Sequence, residues 1–310
     1  MSGLKDFNVS LTSQLLSNAR NYPEPFSSQI QKATMNAYDT FLKSGKKLPP
    51  SIYLDNDTPS AWVKAQARWE KETKKKLKLL SHDPILIKAV PDSLGVFKFS
   101  YKNKDYIFRP FLSEATPQKP HPHYPGLKNH IIQEVAQYFN RTDIIPSYEA
   151  VKIKATLEGF EEPIEISGML SNLVKGKTKI KSYDKDSYKY LEEFPNRDNI
   201  NSNSIIQFLV NNDDIHYQNF FLNSEGKIIV FDQDESLINL IPHASSISGL
   251  GTIPPFEYKA EDIKKLKKIA AGKWNPDFWK YLPWDQKIAF QFRAQILLED
   301  AKLRGFNEAF

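Results

Sequence analysis

Residues 211–236, "NNDDIHYQNFFLNSEGKIIVFDQDES", contain two short apolar runs that constrain the fold more than any other stretch. "NFFLN" and "KIIVFD" have the composition of β-strands, and "SEG" between them is typical of a tight turn. An antiparallel hairpin brings the outer ends of its two strands together. The sequence therefore predicts that Asn219, which opens the first strand, faces Asp232, which ends the second.

The polar residues around this hairpin have the chemistry of a metal site. Asp214 precedes Asn219 by five residues, and Asn219 precedes Asp232 by thirteen. An amide oxygen and a carboxylate at close range are ligands for Mg²⁺ or Mn²⁺, with substrate phosphates filling the remaining positions. Asp214, one loop away, would orient a hydroxyl group for in-line attack on a phosphate.

Two other interpretations of these residues stay open at this point. A single Asp or Asn is most often a turn or cap residue. Asp-x-Asp at the end of a strand, here in "IIVFDQD", also occurs in metal-dependent glycosyltransferases and in some phosphohydrolases. An interpretation that rests on the Asp-x-Asp pair alone gives no role to Asp214 or Asn219.

Composition bounds the class of protein. The chain has 310 residues, of which 40% are hydrophobic and 25% charged, as in soluble globular proteins. The absence of cysteine excludes disulfides, thiol nucleophiles and cysteine-based zinc sites. The first twenty residues lack the apolar core of a Sec signal peptide, and no apolar run is long enough for a transmembrane helix. We expect a cytoplasmic protein, or one secreted into a host cell by a route other than Sec.

The remaining periodicity predicts an α+β protein. We expect helices in residues 1–80, in "LKNHIIQEVAQYFN", in "SIIQFLVNN" and in residues 282–305, which end at Gly305. "LGVFKFSYKNKDYIFRPF" predicts a β-hairpin with "KNKD" in its middle, and "IIPSYEAVKIKATLEG" and "EPIEISGMLSNLV" predict two further strands. The polar residues 175–203 indicate a segment that is looped in part.

The spacing Asp-x4-Asn-x12-Asp resembles that of kinase-fold phosphotransferases. It is closest to the atypical branch that includes the type II phosphatidylinositol 4-kinases, the HipA toxins and the secretory-pathway casein kinases. This resemblance implies a bilobal atypical kinase-like fold with an N-terminal helical extension. It implies ATP and Mg²⁺ or Mn²⁺ as cofactors, Asp214 as the catalytic aspartate, and Asn219, Asp232 and Asp234 as metal ligands.

A second resemblance concerns the part of a kinase that covers the nucleotide phosphates. "SLGVFKFSYKNKDYIFRPF" resembles the covering hairpin of the phosphatidylinositol-kinase-like families, which implies Ser93 and Gly95 in its phosphate-binding turn. The position of the family's lysine is occupied by Arg109, in "IFRP", which is a departure. Arg109 keeps the charge but has a different geometry, and Lys98, one strand earlier, is the alternative nucleotide cation.

The resemblance extends to the helix and strands that follow. Glu134, in "HIIQEVAQYF", matches the glutamate of the regulatory helix that pairs with the nucleotide cation. "ISGMLSNLVKG" resembles the hinge of these families, which implies that Met169 and Leu170 contact the adenine. The implied division is a helical extension at 1–80, an N-lobe at 81–172 and a C-lobe at 173–310.

The function implied by this resemblance is an atypical protein kinase that phosphorylates protein hydroxyl groups. The alternatives are a phosphoinositide kinase, a nucleotide-binding pseudokinase, a nucleotidyl transferase and a metal-dependent glycosyltransferase. The Lys, Asn and Ile-rich composition with an added helical segment is also similar to that of effector kinases injected by intracellular bacteria.

Three lysine clusters are the remaining candidates for binding. They are Lys74–Lys78, Lys259–Lys273 and "KGKTKIK" at 175–181. Each is either a solvated face or a site for an inositol polyphosphate or an anionic lipid. The net charge of +5 is compatible with anionic partners, but no aromatic-basic motif indicates nucleic acid.

Overall fold

A computed structural model describes residues 11, 13–16, 26–49, 59–91, 95–114, 125–159, 161–174, 196–212, 220–231, 236–237, 240 and 257–306. The helices, numbered α1 to α6 in chain order, are Phe26–Lys43, Pro59–Lys74, Pro125–Tyr138, Arg197–Val210, Ala260–Ala270 and Trp284–Leu303. The strands, numbered β1 to β7, are Ile85–Ala89, Phe97–Tyr101, Lys104–Pro110, Tyr148–Leu157, Ile164–Asn172, Phe220–Leu222 and Ile228–Val230. The predicted α+β class is confirmed.

Strands β1 to β5 form a closed barrel in the order β1-β2-β3-β5-β4. Neighbouring strands are antiparallel except β1 and β4, which run parallel and close the barrel. Alternate side chains along each strand point inward, so that Ile87, Phe108 and Ile153 are fully buried inside it. The sequence analysis did not single out β1, which pairs with the nearby β2 and with β4, about seventy residues away.

The predicted hairpin between β2 and β3 is confirmed, and its turn lies within "KNKD". Lys102 and Asn103 both have left-handed backbone, with φ of 49° and 62°. A two-residue turn of this hand matches the twist of the strands that it joins. The turn sets Phe97 opposite Phe108, so both rings face the barrel interior.

The helices of residues 26–74 pack against the rest of the chain. Helix α1 lies along α6, where Phe41 meets Phe292 edge to face with ring centroids 5.2 Å apart. Helix α2 packs on α3 and ends at Lys74. Further along, Leu80 donates its N–H to the Lys152 carbonyl of β4. One apolar core therefore contains both the N-terminal helices and α6. The division at residues 80 and 172 stays a prediction.

A buried carboxylate reinforces the contact between α1 and α6. Asp300 accepts hydrogen bonds from the Gln29 amide, the Tyr258 hydroxyl at 2.7 Å and the Arg304 guanidinium at 2.9 Å. Burial raises the pKa of Asp300, and these three donors oppose that rise. The carboxylate links three segments that are far apart in the sequence.

Gly168 permits the close contact between β3 and β5. A Cβ at this position would lie 2.4 Å from the Arg109 carbonyl oxygen and 2.6 Å from Cζ of Phe108. Both are fixed, one by the strand backbone and the other by the fully packed barrel interior. Only glycine fits here without moving β3.

We predict that Gly168→Ala lowers the free energy of unfolding by about 3 kcal/mol, because the added methyl overpacks the barrel. Urea denaturation followed by circular dichroism measures this change. Ser171→Ala, on the same strand but in a half-buried position, is the control and should change stability little. Equal stabilities of the two variants would contradict the assigned close contact.

Candidate functional site

The predicted hairpin around "SEG" is confirmed as β6 and β7. Phe220 lies opposite Val230, Phe221 opposite Ile229 and Leu222 opposite Ile228. The Asn223 side chain accepts the N–H groups of Glu225 and Lys227, which shapes the turn. The paired residues Phe220 and Val230 form the outer end of the hairpin, as the sequence analysis expected.

Helix α4 holds this hairpin through two buried amide side chains. Asn199 accepts the Ile228 N–H at 2.8 Å and donates to the Ile228 carbonyl at 3.2 Å. Asn203, one helical turn later, donates to the same carbonyl at 3.3 Å. The two amides therefore satisfy the outward-facing backbone groups of β7, as a third strand would.

The start of α4 differs from the sequence prediction. The sequence indicated a partly looped segment up to residue 203 followed by a short helix, whereas α4 begins at Arg197. Asn196 caps it by accepting the Asn199 N–H at 3.0 Å. Asparagine is a poor helix former, but here the hydrogen bonds to Ile228 offset that preference.

The end of α4 is tied to the segment that follows the hairpin. Asn211 ends the helix in left-handed backbone, with φ of 49°. The Leu237 N–H donates to the Val210 carbonyl at 2.7 Å and to the Asn211 carbonyl at 3.2 Å. The fully buried Arg293 of α6 donates to the Leu209 carbonyl at 2.6 Å. Leu237, which follows the predicted carboxylate cluster in the chain, is therefore hydrogen-bonded to Val210 and Asn211, which precede it.

A hydrogen bond connects the barrel to the same hairpin. The Tyr148 hydroxyl, at the start of β4, donates to the Phe231 carbonyl at 2.9 Å. Residues directly opposite each other in paired strands point to the same face of the sheet. Met169 lies opposite Arg109 on β3 and opposite Ala150 on β4, so these three residues share one face. Tyr148 is two residues from Ala150 and therefore shares their face. The outer barrel face that carries Arg109 is the one that meets the hairpin.

The two candidate cations share this face. Lys98 lies opposite Ile107, two residues from Arg109, and it is exposed on β2. Arg109 is half-buried on β3. The two predicted adenine contacts lie on opposite faces of β5. Met169 is on the outer face, and the neighbouring Leu170 points into the barrel opposite Phe108.

Gly95 and Glu134 are the other predicted residues that the structure describes. Gly95 lies just before β2 with φ of 67°, and a Cβ built on it would meet open space. The Glu134 carboxylate lies 2.9 Å from Nε2 of His130, whose ring packs on Trp69. No ion pair joins Glu134 to Arg109 among the described residues, and their pairing in a nucleotide-bound state stays a prediction.

Five predicted site residues lie outside the described ranges, namely Ser93, Asp214, Asn219, Asp232 and Asp234. Within the described ranges, no group of three or more His, Asp or Glu residues could hold a metal ion. The structure therefore bears on the predicted metal ligands only through the described residues next to them in the chain, such as Phe220 and Phe231.

The sequence analysis missed the residues that support the site. Asn199, Asn203 and Arg293 make internal connections there and belong to no motif of the resemblance, and Tyr148, in the predicted strand "IIPSYEAVKI", was given no role of its own. The available signal was the pair of asparagines four residues apart, which share one face of a helix.

Comparisons with known proteins leave the family open. No family model matches the chain, and no curated protein is significantly similar to it. Among the helices that the structure describes, none combines the length and apolar character needed to cross a bilayer.

We predict that Asn199→Leu lowers the free energy of unfolding by about 2 kcal/mol, because the buried Ile228 N–H loses its acceptor and the Ile228 carbonyl keeps only the Asn203 amide. Thermal and urea denaturation measure the loss. Asp198→Ala is the matched control, since this neighbour on α4 is exposed and its ion pair with Lys259 lies on the surface. A loss as large in the control would contradict a specific role for the amide.

Proposed function

We propose that this protein is an ATP- and Mg²⁺- or Mn²⁺-dependent phosphotransferase that phosphorylates protein hydroxyl groups, within a bilobal atypical kinase-like fold. The observation that carries the proposal is the register of the β6–β7 hairpin. Phe220 and Val230 are paired, and the predicted ligands Asn219 and Asp232 adjoin this paired end in the sequence.

Chain connectivity limits how far apart the proposed ligands can be. Successive Cα atoms are about 3.8 Å apart, so Asn219 lies one such step from Phe220 and Asp232 one step from Phe231. The amide and the carboxylate therefore begin at the same end of the hairpin. Hard oxygen donors of this kind suit Mg²⁺ or Mn²⁺, which would neutralise the phosphate charge during transfer.

The proposed catalytic aspartate follows the end of α4 in the sequence. Asp214 follows Asn212 by two residues, and Asn212 donates its backbone N–H to the Gln207 carbonyl at the end of α4. The hydrogen bonds from Leu237 to Val210 and Asn211 bring the chain back to this end after residues 232–235. Asp214 would orient the acceptor hydroxyl and receive its proton.

The barrel face supplies the positive charge that the proposal requires. Arg109 and Lys98 lie on the face that Tyr148 connects to Phe231, the residue before Asp232. A guanidinium at this position can bind a phosphate through two hydrogen bonds, whereas an ammonium acts as a point charge. In this proposal the nucleotide phosphates lie between the outer barrel face and the hairpin.

The site would then work through positioning and electrostatics. Asn219 and Asp232 would hold one metal ion, and Asp234 would contribute to a second; the ions would supply positive charge to offset the negative charge of the phosphates. The chain itself would orient the hydroxyl through Asp214 and hold the phosphates through Arg109 or Lys98. Protein is the proposed acceptor, and phosphoinositide is the main alternative.

We expect Asp232→Ala to abolish metal-dependent ATP binding, because the site loses its main anionic ligand. Isothermal titration of ATP with Mg²⁺, with Mn²⁺ and with neither ion measures this effect. Glu225→Ala, in the exposed turn of the same hairpin, is the control and should retain the metal dependence. Unchanged metal-dependent affinity in a folded Asp232→Ala protein would remove Asp232 from the site.

We expect wild-type protein to transfer label from γ-labelled ATP, and Asp214→Ala to lose on the order of a hundredfold in turnover with ATP affinity nearly unchanged. Asp213→Ala, its sequence neighbour, is the control and should keep most of the activity. Transfer is measured with γ-labelled and, separately, α-labelled ATP.

The other outcomes identify the alternatives. Transfer of the α-label indicates a nucleotidyl transferase, and ATP binding without transfer indicates a pseudokinase. Consumption of a nucleotide sugar in place of ATP indicates a glycosyltransferase. Equal γ-transfer by wild type and Asp214→Ala would mean that the catalytic aspartate is wrongly assigned.

A further inference from the structure

The C-terminal ends of α1 and α5 meet at one corner of the molecule. Lys46, just beyond α1, donates to the Ala270 carbonyl at 2.5 Å and to the Gln291 side chain at 3.0 Å. Burial lowers the pKa of Lys46, and its ammonium group serves this internal contact. Lys46 therefore fixes two lysine-bearing segments side by side.

Four exposed lysines lie close to this contact in the sequence, two on each segment, and we refer to them with Leu42 as the lysine corner. The backbone N–H of Lys273 donates to the Lys268 carbonyl at 2.8 Å, so these two residues adjoin at the end of α5. Gly272 permits this tight return with φ of 70°. The set consists of Leu42, Lys43, Lys47, Lys268 and Lys273.

The lysines of the corner differ in ion pairing from other lysines of the cluster at 259–273. Among the described residues, none of its four lysines is in an ion pair, whereas Lys259 and Lys265 of the same lysine cluster pair with Asp198 and Glu261. These paired lysines are at the start and middle of α5, whereas Lys268 and Lys273 of the corner are at its end. Within the described ranges, the corner therefore combines two lysines without an ion pair at the end of α5 with two at the end of α1.

The exposed apolar side chain of Leu42 adjoins these lysines in the sequence. Leu42 is 45% exposed, next to Lys43 in the last turn of α1. Lysines in the last turn of a helix commonly stabilise its dipole, which accounts for Lys43 and Lys268. That effect accounts neither for Lys47 and Lys273, which lie beyond the helix ends, nor for the exposure of Leu42.

We propose that the lysine corner docks on the surface of an anionic lipid bilayer, with Leu42 entering the headgroup region. Ammonium groups close to an anionic surface and an apolar side chain that reaches the interface are complementary to such a membrane. A single leucine among lysines suits a peripheral and reversible association. The inference does not depend on the proposed phosphotransfer, because the corner uses none of the residues assigned to it.

The test is co-sedimentation of the full-length protein with phosphatidylcholine vesicles prepared with and without phosphatidylserine. We expect binding only with the anionic lipid, and weaker binding at higher salt. Lys47→Gln/Lys273→Gln should lower the partition coefficient roughly 25-fold, since each lysine contributes about fivefold. Leu42→Ser should weaken binding and leave its salt dependence unchanged.

The matched control is Lys75→Gln/Lys76→Gln, which removes two exposed lysines just after α2 and should leave vesicle binding unchanged. Circular dichroism and melting temperature confirm that each variant is folded. An equal loss in the control, or no loss in the corner variant, would overturn the proposal. So would binding of soluble inositol hexakisphosphate at the corner without any vesicle binding, which would assign the lysines to a free polyphosphate.

Discussion

A two-stranded sheet with three residues in each strand forms too few hydrogen bonds to persist alone in water, and the proposed site depends on such a sheet. Helix α4 supplies additional hydrogen bonds to this sheet, because the side chains of Asn199 and Asn203 bind the backbone of Ile228. Since both amides are buried, water does not compete for these bonds. The position of the hairpin, and with it the position of its outer end, is set by the helix.

The same helix is polar on its buried side without being charged there. Its buried polar residues within the helix are amides and hydroxyls, namely Asn199, Asn201, Ser202, Asn203, Ser204 and Gln207. Further buried carboxylates next to the acidic segments 213–214 and 232–235 would repel them and raise their pKa values. Amides give directional hydrogen bonds at no such cost. This composition suits a helix that immediately precedes the proposed carboxylate cluster in the sequence.

The N-terminal helices pack on two helices that carry residues of the proposed site or of its support. Helix α1 packs on α6, and α6 contributes Arg293, which binds the Leu209 carbonyl at the end of α4. Helix α2 packs on α3, the helix that carries Glu134. In α2, Gln66 accepts the Leu127 N–H at 2.9 Å and so satisfies a backbone donor in the first turn of α3. Residues 26–74 therefore support both sides of the proposed site.

Much of the fold was predictable because its signals are local. The alternation of β2 and β3 with their turn, the hairpin around "SEG", the periodicity of α3 and the long α6 with Gly305 all follow from short-range preferences. The spacing of Asp214, Asn219 and Asp232 is likewise a property of the sequence, and it is this spacing that suggests phosphotransfer chemistry.

Tertiary contacts decided the rest. Strand β1 is identified only by its pairing with β2 and with β4, about seventy residues away, a partnership that no local pattern encodes. Helix α4 begins within an asparagine-rich stretch because its amides bind a strand that comes later in the chain. The sequence by itself therefore determined which residues are candidates for the chemistry. Only long-range hydrogen bonding and packing decided that the outer barrel face, the end of α4 and the hairpin meet.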